Sequence, residues 1–196
     1  MTVPPPKRSI GVQTAVGVHP VLVVGCYDPA GRPNAMTVAW GGICSSKPPA
    51  VAVSIRPERH THAGIAARKA FTVSVPSEAQ IGEADLFGIA SGRDLDKFAA
   101  TGLTPVRAEH VDAPYVGEFP LVLECRLIAT HELGSHTQFV GEIVDVKVDE
   151  DCIGPNGRPA LDRIRPFLYD GFGSGYHAAG PRVGDAFSAG RRFLPR

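Results

Sequence analysis

The stretch AVAVSIRPERHTHAGIAARKAFTVSVP, residues 50–76, decides the fold because its hydrophobic pattern changes twice. The run AVAVSI (50–55) is almost continuously apolar, which is typical of a buried strand. Thr61 can cap the N-terminus of the short helix that the run AGIAARKA predicts. The run FTVSVP (71–76) returns to the pattern of a strand. The stretch therefore predicts a strand, a short helix and a second strand.

Two pairs of apolar runs flank this stretch. HPVLVVGCYD (19–28) and NAMTVAWGGI (34–43) meet at the turn sequence DPAGRPN, which indicates a hairpin. LVLECRLIATHELG (121–134) and HTQFVGEIVDVKVD (136–149) meet at a Gly-Ser pair, so they predict a long paired ribbon.

Short helices are predicted between the strands. Ser77 and Gln80 have the spacing of a capping box, which predicts a second helix. Asp94 can cap a third helix, LDKFAATG, that ends at Gly102. About six strands with short helices inserted predict a mainly β, α+β fold, in which the antiparallel sheet closes into a barrel because closure removes exposed edges.

The chain organisation is simple. Residues 1–17 form a polar, proline-led arm, and the sequence contains neither an internal repeat nor a linker that would mark a domain boundary. A chain of 196 residues is long enough to bury one sizeable core. We therefore expect an N-terminal arm, 1–17, followed by a single domain, 18–196.

The composition excludes several classes of partner. Lys and Arg together number 20, as do Asp and Glu, whereas a duplex-binding protein usually carries a basic excess that displaces counterions from phosphates. We expect no nucleic-acid partner, and a local basic cluster should bind a small anion. The N-terminus lacks the apolar core of a signal peptide and no run approaches membrane-spanning length, so we expect no membrane association.

The four cysteines, Cys26, Cys44, Cys125 and Cys152, lie far apart and form no C-x-x-C pair. This spacing predicts a reduced, cytoplasmic protein in which the cysteines are small core residues. A zinc site would have to gather ligands from distant segments, and we expect no metal.

The basic cluster in the opening stretch lies where a strand leads into a helix N-terminus. The first backbone N–H groups of a helix lack partners and lie at the positive end of the helix dipole. A phosphate there would accept hydrogen bonds from those amides and from the Thr61 hydroxyl, while Arg56 and Arg59 add charge-assisted bonds and His60 donates or packs.

Alternatives remain open for these basic residues. The turn can be solvated and paired with acids such as Glu58, and His60 with His62 can instead be metal ligands. Lys97 can extend towards an anion or, alternatively, lie along the surface of its helix.

The sequence contains no recognisable catalytic set of its own. No serine lies in a G-x-S-x-G elbow, and GFGSG (171–175) lacks the strand and helix that flank a dinucleotide fingerprint. The paired carboxylates, such as Asp149 with Asp151, are typical of solvated faces. The protein therefore borrows its chemistry from a bound cofactor.

Six stretches in order now carry a resemblance: HPVLVVGCYDPAGRPNAMTVAWGG, SSKPPAVAVSIRPERHTHAGI, FTVSVPS, SGRDLDKFAATGL, APYVGEFPLVLECRL and LGSHTQFVGEIVDV. From about His19 to the region of Tyr176, the chain resembles the flavin reductase-like, FMN-binding split-barrel family, and within it the flavoredoxin-like branch. The resemblance implies an antiparallel, Greek-key-like split β-barrel and a homodimer with flavin at the subunit interface.

The resemblance also implies a set of site residues. The strand beneath the flavin ring would be Asn34, Ala35, Met36, Thr37, Val38, Ala39 and Trp40, with Cys44, Ser45 and Ser46 lining the same pocket. Arg56, Arg59, His60 and Thr61 would hold the FMN phosphate. Lys97 would reach the flavin, often from the partner subunit, His136 would lie at its reactive face as the catalytic residue, and Tyr169 or Tyr176 would close the pocket.

The function that the resemblance implies is NAD(P)H-dependent reduction of flavin, by hydride transfer from the nicotinamide to flavin N5. FMN is the expected cofactor, with FAD as the alternative, and a monooxygenase or another redox protein is one candidate partner. One alternative is an FMN-binding electron carrier without its own NAD(P)H turnover. A second is a barrel that stores flavin without redox chemistry.

Overall fold

The computed structural model describes residues 3–195, so Met1 and Thr2 of the predicted arm and Arg196 of the predicted domain lie outside it. The strands are β1 (Val18–Pro20), β2 (Leu22–Tyr27), β3 (Pro33–Val38), β4 (Gly41–Ser46), β5 (Pro49–Ile55), β6 (Ala70–Val75), β7 (Pro105–Arg107), β8 (Pro114–Val116), β9 (Leu121–Leu133), β10 (His136–Val148), β11 (Phe167–Asp170) and β12 (Gly175–Ala178). The α-helices are α1 (His60–Arg68), α2 (Ile81–Ile89), α3 (Lys97–Thr101) and α4 (Leu161–Ile164).

One antiparallel sheet dominates the architecture. Its seven strands follow the order β3-β2-β6-β9-β10-β5-β4, and it curls so that β3 approaches β5. A small sheet of β1, β11 and β12 and a β7–β8 ribbon lie beside it. The predicted hairpin is β2 with β3, and the predicted ribbon is β9 with β10, which pair along their whole length. The mainly β, antiparallel prediction is therefore confirmed.

The structure contains twelve strands within residues 3–195 where the sequence predicted about six, and β4 is one of those that were not predicted. The apolar run 34–43 was expected to be one strand, but β3 ends at Val38 and a separate strand, β4, pairs with β5. The burial of β4 does not alternate, because it forms an edge of the sheet and is exposed or half-buried throughout. Its sequence, GGICSS, therefore lacks the hydrophobic pattern by which the other strands are found.

Two hydrophobic clusters stabilise the fold, and β2 separates them. Val24 lies inside the barrel with Phe71 and Phe139, whereas the adjacent Val23 packs on the other face with Phe87. Burying an aliphatic or aromatic side chain of this size contributes roughly 1.5–3 kcal/mol. Because both faces of β2 are buried, its sequence LVVGCY is apolar throughout instead of alternating.

The helix starts correct two predictions and confirm one. The N-cap of α1 is Arg59 and not Thr61, whose side chain is buried in the first turn. The N-cap of α3 is Asp96 and not Asp94; its Oδ1 accepts a hydrogen bond from the Ala99 N–H at 3.0 Å. The capping box of Ser77 with Gln80 is present, and α3 ends at Gly102, as predicted.

Residues 3–17 contain neither helix nor strand, and no helix in the range 3–195 is both long and apolar enough to cross a bilayer.

Cys26, Cys125 and Cys152 are buried free thiols, as predicted, and burial raises the pKa of Cys26 and Cys125 to about 12. Cys44 lies on the edge strand β4 and is exposed, so the prediction of a core position was wrong for it.

Candidate functional site

Two adjoining cavities bring most of the predicted site residues together. The basic cavity, about 290 Å³, is lined by Met36, Arg56, Glu58, Arg59, His60, Thr61, Ala90, Ser91, Gly92, Arg93, Asp94 and Lys97. The strand cavity, about 230 Å³, is lined by Met36, Thr37, Val38, Ala39, Trp40, Ser54, Arg56, Arg59 and His136. Met36, Arg56 and Arg59 line both, so the two cavities meet between β3, the end of β5 and the start of α1.

The N-terminus of α1 opens onto the basic cavity without a protein cap. Arg59, the N-cap, makes no side-chain capping bond, and the first turn contains no acidic residue. The first N–H groups of a helix have no intrahelical partners and favour a negative charge. The half-buried Arg59 adds a guanidinium beside them. This end of the cleft therefore suits an anion such as a phosphate.

A loop between α2 and α3 covers this anion-binding end. Arg93 donates from Nη1 to the backbone oxygen of Glu58 at 2.7 Å, which ties the loop to the turn before α1. Gly92 lies against Asn34 so closely that a Cβ at this position would overlap the Asn34 Oδ1 atom. The loop can pack this tightly only because residue 92 has no side chain.

The exposed Arg56 shows both of the roles that the sequence left open. Its Nε lies 2.9 Å from Glu58 Oε1, which is the ion pair of a solvated basic turn. Its side chain nevertheless lines both cavities. Arg56 is thus partly neutralised by its neighbour, whereas no ion pair is found for Arg59 within residues 3–195.

His60 faces a buried acid. Its Nε2 lies 3.4 Å from Asp28 Oδ2, and Asp28 also pairs with Arg32 at 2.9 Å. Although burial alone would raise the pKa of Asp28, hydrogen bonds from the backbone and side chain of Arg32 bring that pKa below its ordinary value. Asp28 is therefore ionised and holds the His60 ring at the wall of the basic cavity.

A hydrogen bond between the side chains of Asn34 and Thr61 joins β3 to α1. The Asn34 Nδ2 atom donates to Thr61 Oγ1 at 2.8 Å, and both side chains are buried. Asn34 lines a third cavity, about 260 Å³, which shares His60 and Lys97 with the basic cavity. Thr61 lines the basic cavity itself and retains its hydroxyl proton for a ligand.

Lys97 is buried, contrary to the alternative of a lysine along the surface. Its ammonium donates to Ala35 O at 2.8 Å and to Phe87 O at 2.9 Å. Burial, together with repulsion from Arg59, lowers the pKa of Lys97 to about 8. An ammonium group has three N–H donors, so one remains beyond these two bonds, at the wall of the basic cavity.

The side chains of β3 alternate between the two hydrophobic clusters. Met36 and Val38 lie in the barrel cluster, Ala35 lies in the other, and Thr37 donates its hydroxyl proton to Ala84 O. The Thr37 hydroxyl proton is thus used in a bond to α2, although Thr37 also lines the strand cavity. The parts of β3 that remain available to the strand cavity are therefore its backbone and the apolar side chains at its end.

Trp40 and His136 both line the strand cavity. The His136 Nδ1 atom lies 2.9 Å from Ser135 Oγ, which leaves Nε2 as the ring nitrogen outside that contact. His136 begins β10, so its backbone is fixed by the ribbon even though its side chain is half-buried.

Some predicted residues lie apart from the cleft. Ser45 and Ser46 lie on the outer strand β4 and line neither cavity. Tyr176 packs against Phe167 and donates to Asp85 Oδ1 at 2.7 Å, and burial raises its pKa to about 12. The side chain of Tyr176 is therefore part of the second cluster and not a lid.

The cover loop and the acid beneath His60 were not predicted from the sequence. Ala90, Ser91 and Arg93 line the basic cavity, and Asp28 lines the cavity beside it. The signal was present in SGRD (91–94), where a small residue, a glycine and an arginine precede Lys97. The turn sequence DPAGRPN likewise contains both members of the Asp28–Arg32 pair.

Comparisons with known proteins agree with this geometry. The model of a family described as "Flavin reductase like domain" matches residues 18–173. The solved structure of flavoredoxin from Desulfovibrio vulgaris (Miyazaki F) superposes with a TM-score of 0.90 and 49% identity, covering 94% of this chain and 99% of that one. Flavoredoxin from Methanosarcina acetivorans superposes with a TM-score of 0.86 and 26% identity, covering 96% of this chain and 100% of that one.

Sequence relatives point the same way. An uncharacterized protein of Aeropyrum pernix is 33% identical over 84% of this chain, but the match spans only 63% of that protein's length. The NADH:riboflavin 5'-phosphate oxidoreductase of Streptomyces pristinaespiralis is 28% identical over 77% of this chain and 86% of its own length.

Proposed function

The chain belongs to the flavin reductase-like family and has its split-barrel fold, and from that premise we propose that it is an NAD(P)H-dependent flavin reductase that binds FMN. Its similarity to these relatives supports a flavin-related redox function. The residues of the cleft fit such a cofactor, because an uncapped helix N-terminus with arginine lies at one end and an apolar, tryptophan-lined cavity lies at the other.

The phosphate end is formed by α1 and Arg59. The first N–H groups of α1 would donate to the phosphate, Arg59 would add a charge-assisted bond, and the Thr61 hydroxyl would donate its proton. Lys97 contributes positive charge from beneath, since its ammonium is already fixed by two backbone carbonyls. Arg56 is more exposed and shares its charge with Glu58, so its contribution is smaller.

The ring end is formed by the backbone that leaves β3 and by Trp40. When bound, the flavin supplies the ring that accepts a hydride from the nicotinamide at N5. Backbone donors beneath the polar edge of that ring would stabilise negative charge, and the apolar wall excludes water. His136, which lines the strand cavity, would orient the incoming nicotinamide, and no side chain would have to act as an acid or base in the hydride step.

The observation that carries the proposal is the junction of the two cavities at Met36, Arg56 and Arg59, which gives one ligand both an anion site and an apolar ring site. Purified protein would be mixed with excess FMN and then with NADH or NADPH, and nicotinamide absorbance would be followed. We expect many turnovers per protein. Tight flavin binding without nicotinamide oxidation would overturn the reductase proposal.

A second candidate is an FMN-binding electron carrier of the flavoredoxin type. The 49% identity to the Desulfovibrio flavoredoxin, over nearly all of both chains, favours it. A carrier would retain one flavin through gel filtration, and a stoichiometric reductant would reduce it without multiple turnovers of NAD(P)H. The same spectra before and after NADH therefore separate the two candidates.

We also propose that the protein, a single domain from residue 18 onwards, works as a homodimer in the cytoplasm. The outer edge of β4 is unpaired within residues 3–195 and carries the exposed Ile43, which a second copy can cover. Such pairing would bring Ser45 and Ser46, which lie apart from the cleft of their own chain, into contact with the partner. A monooxygenase or another redox protein is the proposed recipient of reduced flavin, and light scattering of the purified protein tests the dimer.

A further inference from the structure

A fourth cavity, here called the aromatic groove, adjoins the strand cavity. It has a volume of about 530 Å³ and is lined by Gln13, Thr14, Ala15, Val16, His19, Ala39, Trp40 and Gly41. Ala39 and Trp40 also line the strand cavity. The groove is therefore next to the place where we propose that the flavin ring lies, on the opposite side from the phosphate end.

One wall of the groove is built from stacked aromatic rings. The rings of His19 and Trp40 lie 4.9 Å apart and nearly parallel, at 26°. On the far side of His19, its ring centroid lies 6.4 Å from that of Tyr169, because His19 of β1 is paired with Tyr169 of β11. Such a wall is rigid and presents ring faces and edges, the surfaces against which a flat ligand packs best.

The opposite wall is the N-terminal arm, residues 13–16, which belongs to no helix or strand. Its side chains are exposed, and Val16 retains 78% of its accessible surface. The groove thus has one fixed wall and one wall held by few contacts, so a ligand can enter without disturbing the sheet.

The chemistry of the lining indicates the ligand. None of the eight lining residues is Asp, Glu, Lys or Arg, whereas the basic cavity is lined by Arg56, Arg59, Arg93 and Lys97. An anion in the groove would lose its hydration without gaining a positively charged side chain as a partner, which is unfavourable. The pyrophosphate of a nicotinamide dinucleotide is therefore a poor occupant, and an uncharged ring system is a good one.

One polar atom in the wall lacks a partner. The Nε2 atom of His19 is buried and makes no hydrogen bond with any residue between 3 and 195. An unsatisfied buried nitrogen costs free energy. A carbonyl oxygen on a ligand ring is an acceptor that this nitrogen would need when it carries the ring proton.

We propose that the aromatic groove is a binding subsite for an uncharged, planar aromatic carbonyl compound of the quinone class, as the second substrate of the flavin reaction. The redox role rests on the proposed function above, whereas binding to the groove does not. Overall, NAD(P)H would give up a hydride and solvent a proton, and the quinone would leave as the hydroquinone.

The chain provides its own reporter, because Trp40 is the sole tryptophan. Flavin-free protein would be titrated with 1,4-naphthoquinone while Trp40 fluorescence is followed, with free N-acetyltryptophanamide as the collisional control. We expect saturable quenching of the protein and linear quenching of the control. The sulfonated naphthoquinone, which has the same rings and a negative charge, should bind at least tenfold more weakly.

A matched pair of variants tests whether naphthoquinone binds in the aromatic groove. Thr14→Glu/Val16→Glu adds two charges to the groove wall, and Val3→Glu/Val12→Glu adds the same two charges to exposed arm positions outside it. We expect the first pair to weaken naphthoquinone binding at least fivefold and the second to leave it unchanged. All four positions are exposed and lie outside helices and strands, so both variants should fold like the parent protein.

Non-saturating quenching, equal affinity for the sulfonated compound, or equal behaviour of the two variants would overturn the proposal. FMN binding, measured separately by flavin fluorescence, distinguishes its failure from that of the proposed function. Retained FMN binding with no quinone binding removes the subsite alone, whereas saturable quinone binding without FMN binding removes the flavin reductase and leaves the groove as a ligand site.

Discussion

Replacing Arg59 by Gln tests the phosphate site, because FMN and riboflavin differ only in the phosphate. Arg59 is half-buried at the uncapped N-terminus of α1, and no acid within residues 3–195 pairs with it. A hydrogen bond to a charged group contributes about 1.5–3 kcal/mol. At about 1.4 kcal/mol for each factor of ten, Arg59→Gln should weaken FMN binding roughly 10- to 100-fold.

The matched control is Arg56→Gln. Arg56 lines the same cavity but is exposed and lies 2.9 Å from Glu58. Exposed ion pairs contribute about 0–1 kcal/mol, so this variant should lose less than about fivefold in FMN affinity.

The assay is a fluorescence titration of flavin-free protein with FMN and then with riboflavin, at two salt concentrations. We expect Arg59→Gln to lower the FMN affinity and its salt dependence while riboflavin affinity stays constant. An equal loss for FMN and riboflavin would refute the assignment, as would a larger loss in Arg56→Gln than in Arg59→Gln.

Three further predictions follow from the geometry. Because burial lowers the pKa of Lys97 to about 8 from an ordinary value of 10.5, the unfolded chain binds more protons between these pH values. The free energy of unfolding of the parent protein, relative to that of Lys97→Met, should therefore rise by up to about 3 kcal/mol as the pH increases from about 8 to 10.5. Urea titrations of flavin-free protein measure it. A difference between the two proteins that stays constant over this pH range would contradict the burial of Lys97. His136→Ala should slow NADH-dependent flavin reduction roughly tenfold without changing FMN affinity, in stopped-flow and titration measurements; an unaltered rate would remove this side chain from the site. Gly92→Ala should weaken FMN binding while preserving the far-ultraviolet spectrum, because its Cβ overlaps Asn34, and tighter or unchanged binding would show that the cover loop does not matter.

Features governed by local sequence could be predicted. The β9–β10 ribbon follows from the length of its runs, and the capping box of Ser77 with Gln80 follows from a spacing of three residues. The N-cap of α3 was missed because Asp94 and Asp96 both precede the helix, and nothing local indicates which of the two is the cap.

The site could be predicted only in part, because several roles depend on distant contacts. Arg59 and His136, which the family resemblance assigned to the flavin, both line the strand cavity. The Thr37 hydroxyl, in contrast, is bound to the backbone of α2, and Tyr176 bonds to Asp85, 91 positions earlier in the chain. Neither partner can be inferred from the sequence near the residue concerned.

The hydrogen bond from Asn34 to Thr61 has a consequence for ligand length. It fastens the start of β3 to the first turn of α1, and β3 then leads towards the proposed ring end, so a movement of one proposed end would be transmitted to the other. A rigid spacing of this kind selects ligands by the number of carbon atoms between ring and phosphate. A flavin phosphate whose ribityl chain is shortened or extended by one carbon would satisfy only one of the two ends.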